Sequence, residues 1–123
     1  MASVLLVDDD VETLKAWSAA CVANGYDVRI ATNGHDAFLS VVYSRVDIVV
    51  ADWRMPGMSG SELCHRLQTV PRLSGVAFIL VSGEPSPPAF VRFDAFLRKP
   101  VDGAVLLATM RRLLADEVAH RAR

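Results

Sequence analysis

The chain has 123 residues, a length that fits one domain with a core of its own. Lys plus Arg (13) against Asp plus Glu (14) give a net charge of −1, so charge alone gives no argument for nucleic-acid binding. Hydrophobic residues make up 52% of the chain, yet no apolar run approaches the roughly 18 residues of a membrane span. We expect one domain over residues 1–123, soluble and cytoplasmic, with no membrane and no direct nucleic-acid partner.

Short apolar runs recur along the chain and predict five strands. The runs cover residues 4–7, 28–31, 48–51, 76–81 and, more weakly, 95–97. Such runs are typical of parallel strands that are covered on both faces. Because helical patterns alternate with them, we expect an α/β fold, a doubly wound parallel sheet of five strands.

Apolar residues at three- and four-residue spacing predict the helices. Gly25 should end the first helix, Ser59 and Glu62 are typical of a capping box for the third, and Asp102 should cap a last helix over about residues 103–119. The residues expected to face inward are Val11, Leu14, Trp17, Cys21 and Val22, then Ala37, Phe38, Val41 and Val42, then Leu63, Leu67 and Val70, and finally Leu106, Leu107, Met110, Leu113, Leu114 and Val118.

The two cysteines, Cys21 and Cys64, both fall inside predicted helices and form no CxxC pair. This usage favours a reducing compartment and buried hydrophobic roles over redox chemistry.

The segment between the fourth and fifth strands contains Pro85, Pro87 and Pro88 within four residues. Proline lacks an amide donor and pushes the preceding residue toward extended conformations, so helix could at best begin near Pro88 and last about one turn. We therefore expect a shortened helix or a proline-rich loop here, with Phe90, Val91 or Phe93 packing on the sheet.

Polar residues follow four of the predicted strands, and parallel strands place such residues at one edge, where ligands bind. The first strand ends in Asp8, Asp9 and Asp10, the third in Asp52, the fourth in Ser82, and the fifth runs into Lys99. Clustered carboxylates repel one another unless a cation lies among them, and their oxygens suit Mg²⁺. A metal, an ammonium and a hydroxyl around one carboxylate suit phosphoryl transfer, which makes Asp52 a candidate nucleophile.

Each feature by itself has a simpler interpretation. An acidic triplet before a helix is often an N-cap with favourable dipole charges, and Asp52 or Ser82-Gly83 could be ordinary turn residues. It is their joint placement at four strand ends that favours a functional site.

Four segments, "VLLVDDD", "DIVVADWRMPGMSG", "ILVSGE" and "AFLRKP", follow one another in the order and spacing of the receiver domain of bacterial two-component response regulators, which the chain resembles over nearly its whole length. The resemblance implies strand order 2-1-3-4-5. It also implies that Asp52 accepts a phosphoryl group with Mg²⁺ bound, and that the donor is a histidine kinase or a phosphotransfer protein.

The resemblance implies a role for each site residue. Asp8, Asp9, Asp52 and the carbonyl of Arg54 would bind the metal, and Lys99 would be the family's conserved-type lysine, catalytic together with Asp52 and Ser82. Ser82 and Phe96 would switch a protein-interaction surface. The domain would be a signalling phosphoacceptor that assists its own phosphorylation and dephosphorylation, not an enzyme acting on other substrates. The side chains expected to carry these roles are Asp8, Asp9, Asp52, Ser82, Phe96 and Lys99.

Arg54 and Glu84 each lie two residues beyond a site residue, at positions that in this family flank the path of the hydrolytic water. The opposite charges could pair and lengthen the life of the phosphoryl group, or the two side chains could be solvated independently.

Three other functions compete. A haloacid-dehalogenase-type phosphatase also uses an aspartate nucleophile, but "DDDVE" departs from its DxDx(T/V) signature at Glu12. A degenerate receiver would act only as a binding module, and a flavodoxin-like cofactor binder would need a phosphate loop where the carboxylates stand.

Since no output domain follows the last predicted helix, we expect either a stand-alone receiver or a piece of a longer protein. In ordinary receivers of this family, the helix between the fourth and fifth strands is part of the surface that dimerises. Because that helix should be shortened or absent here, we expect that this chain does not use the family's usual dimer face.

Overall fold

Five parallel strands form one sheet in the computed structural model, which describes residues 2–89 and 91–121, with side chains described as far as residue 116. Across the sheet their order is β2-β1-β3-β4-β5, and each neighbouring pair is parallel. The predicted doubly wound sheet and the strand order are confirmed. The strands are β1 (Ser3–Val7), β2 (Asp27–Ala31), β3 (Ile48–Asp52), β4 (Ala77–Ser82) and β5 (Ala95–Arg98).

The described helices begin at polar caps. Asp10, Asn33 and Ser59 each accept a hydrogen bond from a backbone N–H in the first turn of their helix, and Asp102 accepts one from Ala104 N. The predicted cap at Asp102 and the Ser59 half of the predicted capping box are confirmed, and Gly25 (φ +84) follows the first helix in the left-handed region as expected. The helices are α1 (Val11–Ala23), α2 (Gly34–Tyr43), α3 (Gly60–Gln68) and α4 (Gly103–Arg121), with a short 3-10 turn at Pro71–Leu73.

The sheet separates two apolar layers because successive strand residues point to opposite faces. Leu5, Val49 and Leu80 pack with α2 and α3 on one face, while Leu6, Val50 and Ile79 pack with α1 and α4 on the other. Covering both faces leaves the edge at the carboxyl ends of the strands open to a ligand. No described helix combines the length and apolar content needed to cross a bilayer.

Two residues of the first helical pattern do not face the core. Val11 and Val22 are 52% and 59% exposed, whereas Leu14, Trp17 and Cys21 are buried. Val11 lies in the first turn of α1, beyond the end of β1 at Val7, and Val22 lies about 100° around the helix from Cys21. The buried stripe of α1 is therefore narrower than its apolar sequence predicts.

The connection from β4 to β5 contains no helix among residues 83–89 and 91–94. Its apolar residues Val91 and Phe93 pack against the layer formed with α2 and α3, as expected for side chains that replace a missing helix. Asp94 fixes the end of this loop, since its amide donates to Phe78 O and its carboxylate accepts from Phe78 N. The predicted proline-rich loop is confirmed, while Phe90 and the side chain of Val118 lie outside the described part of the chain.

Candidate functional site

The register of the strands brings the polar strand ends together. Val7 is paired with Ala51, so Asp8 leaves β1 beside Asp52 at the end of β3. Between β4 and β5, Ser82 is paired with Arg98, and the backbone N–H of Lys99 donates a hydrogen bond to Ser82 O at 2.8 Å. Residues that are up to 91 positions apart in the sequence therefore meet at one edge of the sheet.

Three carboxylates gather at this edge. Asp8, Asp9 and Asp52 each offer an oxygen, and these oxygens all lie within 4.8 Å of one another. Asp8 is fully buried and Asp52 is 7% exposed, whereas Asp9 is exposed. Asp8 Oδ1 accepts a hydrogen bond from Asp10 N at 2.9 Å, and Asp8 Oδ2 accepts one from Lys99 Nζ at 2.7 Å.

Lys99 supplies the opposite charge. Its Nζ lies 2.7 Å from Asp8 Oδ2 and 3.4 Å from Asp52 Oδ1. Burial lowers the pKa of Lys99, but the hydrogen bond to Asp8 and the charge of Asp52 raise it by more. Lys99 Nζ also lies 6.0 Å from the ring centre of Trp17, at the limit of a cation–π contact. The ammonium is thus held in its charged form beside the two buried carboxylates.

Burial raises the pKa of Asp52, and the charge of Asp8 raises it further, while Lys99 offsets part of the rise. Counted together, Asp8, Asp9 and Asp52 carry three negative charges against the one positive charge of Lys99. A divalent cation would balance the remainder, and carboxylate oxygens are the ligands that Mg²⁺ prefers. The donor set of this edge therefore fits magnesium.

Ser82 is 1% exposed, and its Oγ accepts a hydrogen bond from Glu84 N at 3.0 Å. The hydroxyl proton remains available for donation to a group at the edge. Phe96, on β5, is partly buried against the same layer as Phe93, and the two ring centres are 6.1 Å apart. The proposed aromatic switch residue thus touches the loop that replaces the missing helix.

Arg54 and Glu84 form a two-pronged ion pair between the loop after β3 and the loop after β4. Arg54 Nε lies 2.7 Å from Glu84 Oε1, and the NH2 nitrogen lies 3.3 Å from Oε2. The hydrogen bond to Glu84 raises the pKa of Arg54, and the hydrogen bond to Arg54 lowers the pKa of Glu84. Both side chains are well exposed, at 64% and 44%.

Two contacts at this edge were not predicted from the sequence, namely that of Gly60 with the end of β3 and that of Trp53 with Arg54. A Cβ on Gly60 would lie 2.2 Å from the carbonyl oxygen of Asp52, so only glycine allows α3 to start so close to β3. Trp53 lies under Arg54, with the guanidinium carbon 4.1 Å from the ring centre. Only the adjacency of an aromatic residue and an arginine in "DWR" hinted at the second contact.

Comparisons with known proteins agree with this geometry. Residues 4–111 match the family model described as the response regulator receiver domain. The response regulator PleD of Caulobacter vibrioides is 28% identical over 98% of this chain, and the response regulator RppA of Synechocystis is 32% identical over 89%. The chain spans only 29% of PleD and 49% of RppA.

Two solved structures are also similar to this chain. The chemotaxis protein CheY4 of Vibrio cholerae is 28% identical and matches with a TM-score of 0.86 over 92% of this chain and 98% of CheY4. A CheY-like receiver domain protein of Methanospirillum hungatei, 24% identical, has the same fold with a TM-score of 0.90 over 98% of both chains. The family match over most of its length, together with the acidic edge and Lys99, establishes that this chain belongs to the response regulator receiver domain family of two-component signalling.

Proposed function

We propose that Asp52 accepts a phosphoryl group from a phosphohistidine of a histidine kinase or a phosphotransfer protein. The observation that carries this proposal is the position of Asp52, a nearly buried carboxylate 3.4 Å from the Lys99 ammonium and within the cluster formed with Asp8 and Asp9. In the proposed step an Asp52 oxygen forms a bond to phosphorus as the phosphorus–nitrogen bond of the donor breaks. The imidazole of the donor is the leaving group, and an aspartyl phosphate results.

The residues around Asp52 have different roles in this step. Lys99 pairs with the charge that the phosphoryl oxygens bring, and Ser82 donates its hydroxyl proton to one of them. Mg²⁺, held by Asp8, Asp9, Asp52 and the Arg54 carbonyl, would supply neutralising charge for the same oxygens. Because these groups are placed before the donor arrives, the domain assists its own phosphorylation and dephosphorylation.

The Arg54–Glu84 pair is proposed to control the lifetime of the aspartyl phosphate. It ties together the loops that follow β3 and β4, and Asp52 is the last residue of β3. A side-chain bridge at this edge would obstruct the water that attacks phosphorus. Because the pair is exposed, it would slow hydrolysis without preventing it.

The output of the switch is proposed to pass through the loop after β4. Ser82 contacts Glu84 at the start of this loop, and Phe96 contacts Phe93 near its end. Engagement of Ser82 by the phosphoryl group would shift the population between two packings of the loop. An effector protein, or an output domain in a longer chain, would bind the changed surface in the cytoplasm.

Incubation with acetyl phosphate and Mg²⁺ tests the proposal directly. The wild-type domain should gain one acid-labile phosphoryl group, visible by mass spectrometry, and Asp52→Asn should gain none. Phosphorylation of Asp52→Asn at the wild-type level would rule out the assignment. Continuous release of phosphate would indicate a phosphatase of the haloacid-dehalogenase type, and an unmodified wild-type chain would indicate a module that only binds.

A further inference from the structure

The Arg54–Glu84 pair would be loosely held if it were isolated. With 64% and 44% of the two side chains exposed, holding them in one geometry costs side-chain entropy that the screened attraction of the charges barely offsets. The lifetime control proposed for this pair therefore needs a third group that restricts the arginine.

Trp53 provides this restriction. Its indole lies against the flat face of the Arg54 guanidinium at 4.1 Å, while Glu84 occupies the guanidinium edge through Nε and NH2. A planar guanidinium contacted on its face and on its edge has few other orientations available, and stacking on an aromatic ring is a contact that arginine favours.

The backbone and side chain of Trp53 are themselves well anchored. Its N–H donates to Val81 O at 2.8 Å, and its carbonyl accepts from Gly60 N at 2.9 Å. Its partly buried side chain packs against the apolar layer that includes Leu63 and Leu80. The indole is therefore better anchored than the exposed Arg54 side chain that lies over it.

The contact extends to the hydroxyl of the switch residue. The Glu84 carboxylate accepts a hydrogen bond from Arg54, and the Glu84 backbone N–H donates one to Ser82 Oγ. An Arg54 side chain that is held in place therefore also restrains Glu84, the residue whose N–H contacts the Ser82 hydroxyl. Contacts thus run without a gap from the indole of Trp53 through Arg54 and Glu84 to Ser82.

We infer that Trp53 is a positioning residue for the phosphorylation site: by stacking under Arg54 it keeps the Arg54–Glu84 pair closed and so slows hydrolysis of the aspartyl phosphate. This inference depends on the proposal that Asp52 carries the phosphoryl group. In this inference the Trp53 side chain acts through its contact with Arg54 and has no chemical role of its own.

The test is a double-mutant cycle on the lifetime of the aspartyl phosphate. Wild type, Trp53→Leu, Arg54→Ala and the double variant are labelled with acetyl phosphate and Mg²⁺, and the loss of phosphate is followed after the donor is removed. Loss of an exposed cation–π contact should shorten the half-life in Trp53→Leu about two- to five-fold. In the Arg54→Ala background the same substitution should have no further effect, because the arginine that Trp53 positions is gone.

Conservative substitutions separate positioning from simple packing. Trp53→Tyr retains an aromatic face and should keep most of the wild-type half-life, whereas Trp53→Leu retains an apolar side chain but loses the face. Equal half-lives for wild type and Trp53→Leu, or an equal effect of Trp53→Leu with and without Arg54, would overturn the inference. If wild type takes up no phosphoryl group at all, it is the proposed function that fails, and the two failures are thereby distinguished.

Discussion

The ammonium of Lys99 lies 2.7 Å from Oδ2 of Asp8, a carboxylate with no exposure to solvent. This contact joins the end of β5 to the end of β1, although β1 and β5 are separated by two strands in the sheet. It is a structural contact, because a buried carboxylate without its partner is costly.

Lys99→Met should therefore lower the free energy of unfolding in metal-free buffer by about 3 kcal/mol, since it leaves Asp8 buried beside Asp52 with no opposite charge. Urea denaturation followed by circular dichroism in the presence of EDTA would measure the change. Lys15→Met is the matched control, because the Lys15 side chain is 69% exposed and its loss should cost within about 0.5 kcal/mol. Equal stability of the two variants would show that the Lys99–Asp8 pair contributes nothing.

Binding of Mg²⁺ should change the tryptophan emission of the domain. Trp53 is adjacent in sequence to Asp52, whose carboxylate lies in the acidic cluster, and the approach of a divalent cation alters the field at the indole. Titration with MgCl₂ should give a saturable response that is weakened in Asp52→Asn. In Trp53→Phe, where Trp17 is the remaining tryptophan, the response should be largely lost. A full response in Asp52→Asn would place the metal elsewhere.

Removal of the exposed ion pair should shorten the lifetime of the aspartyl phosphate. In the double variant Arg54→Ala/Glu84→Ala the attacking water would meet no side-chain bridge, so the half-life should fall while the labelling of Asp52 persists. A paired control is Glu12→Ala/Lys15→Ala, which removes a still more exposed ion pair from the surface of α1. High salt should shorten the wild-type half-life toward that of the double variant, because it screens exposed charges. An unchanged half-life in the double variant would refute the control of hydrolysis by this pair.

Gly60→Ala should destabilise the domain by about 1 to 3 kcal/mol, because the new methyl group would overlap the backbone at the end of β3. The nearest atom is the carbonyl oxygen of Asp52, at 2.2 Å, and the backbone there has no flexible end that could move aside. Phosphorylation by acetyl phosphate should slow as well. Gly75→Ala is the control, since a Cβ at Gly75 would meet nothing within 4 Å. Wild-type stability of Gly60→Ala in urea denaturation would contradict the close approach of α3 to β3.

The two thiols should be unreactive in the folded chain. Burial raises the pKa of Cys21 to about 11 and that of Cys64 to about 12, and the Cys64 thiol also donates to Arg92 O at 2.9 Å. Alkylation by iodoacetamide at pH 8 should be slow in native buffer and fast in urea, measured by mass spectrometry. Fast native alkylation would contradict the burial of these thiols.

The same shifts predict a loss of stability in alkali. Because the pKa of each thiol in the folded chain lies above the ordinary 9.0, the folded chain holds the two thiol protons more tightly than the unfolded chain does. The stability that they contribute is complete below pH 9 and is lost as the pH rises through about 11 and about 12. Replacement of both cysteines by alanine should flatten this alkaline decline in urea denaturation midpoints.

The sequence by itself determined the order of the elements, the ends of the strands to within about one residue, and that any helix between β4 and β5 would be short or replaced by a loop. Apolar runs, capping residues and prolines act over a few neighbouring residues, so local patterns were enough to predict them. The parallel sheet then brought Asp8, Asp52, Ser82 and Lys99 to one edge, because parallel strands share the direction in which they end.

Only the tertiary structure decided which side chains contact one another at that edge. The exposure of Val11 and Val22 depends on where the sheet ends, and the need for glycine at Gly60 depends on how closely α3 approaches β3. The contact of Arg54 with Glu84 depends on the geometry of two loops that lie 30 residues apart in the chain. Such contacts are set by strand register and packing, which involve distant parts of the chain together, and no local pattern of residues encodes them.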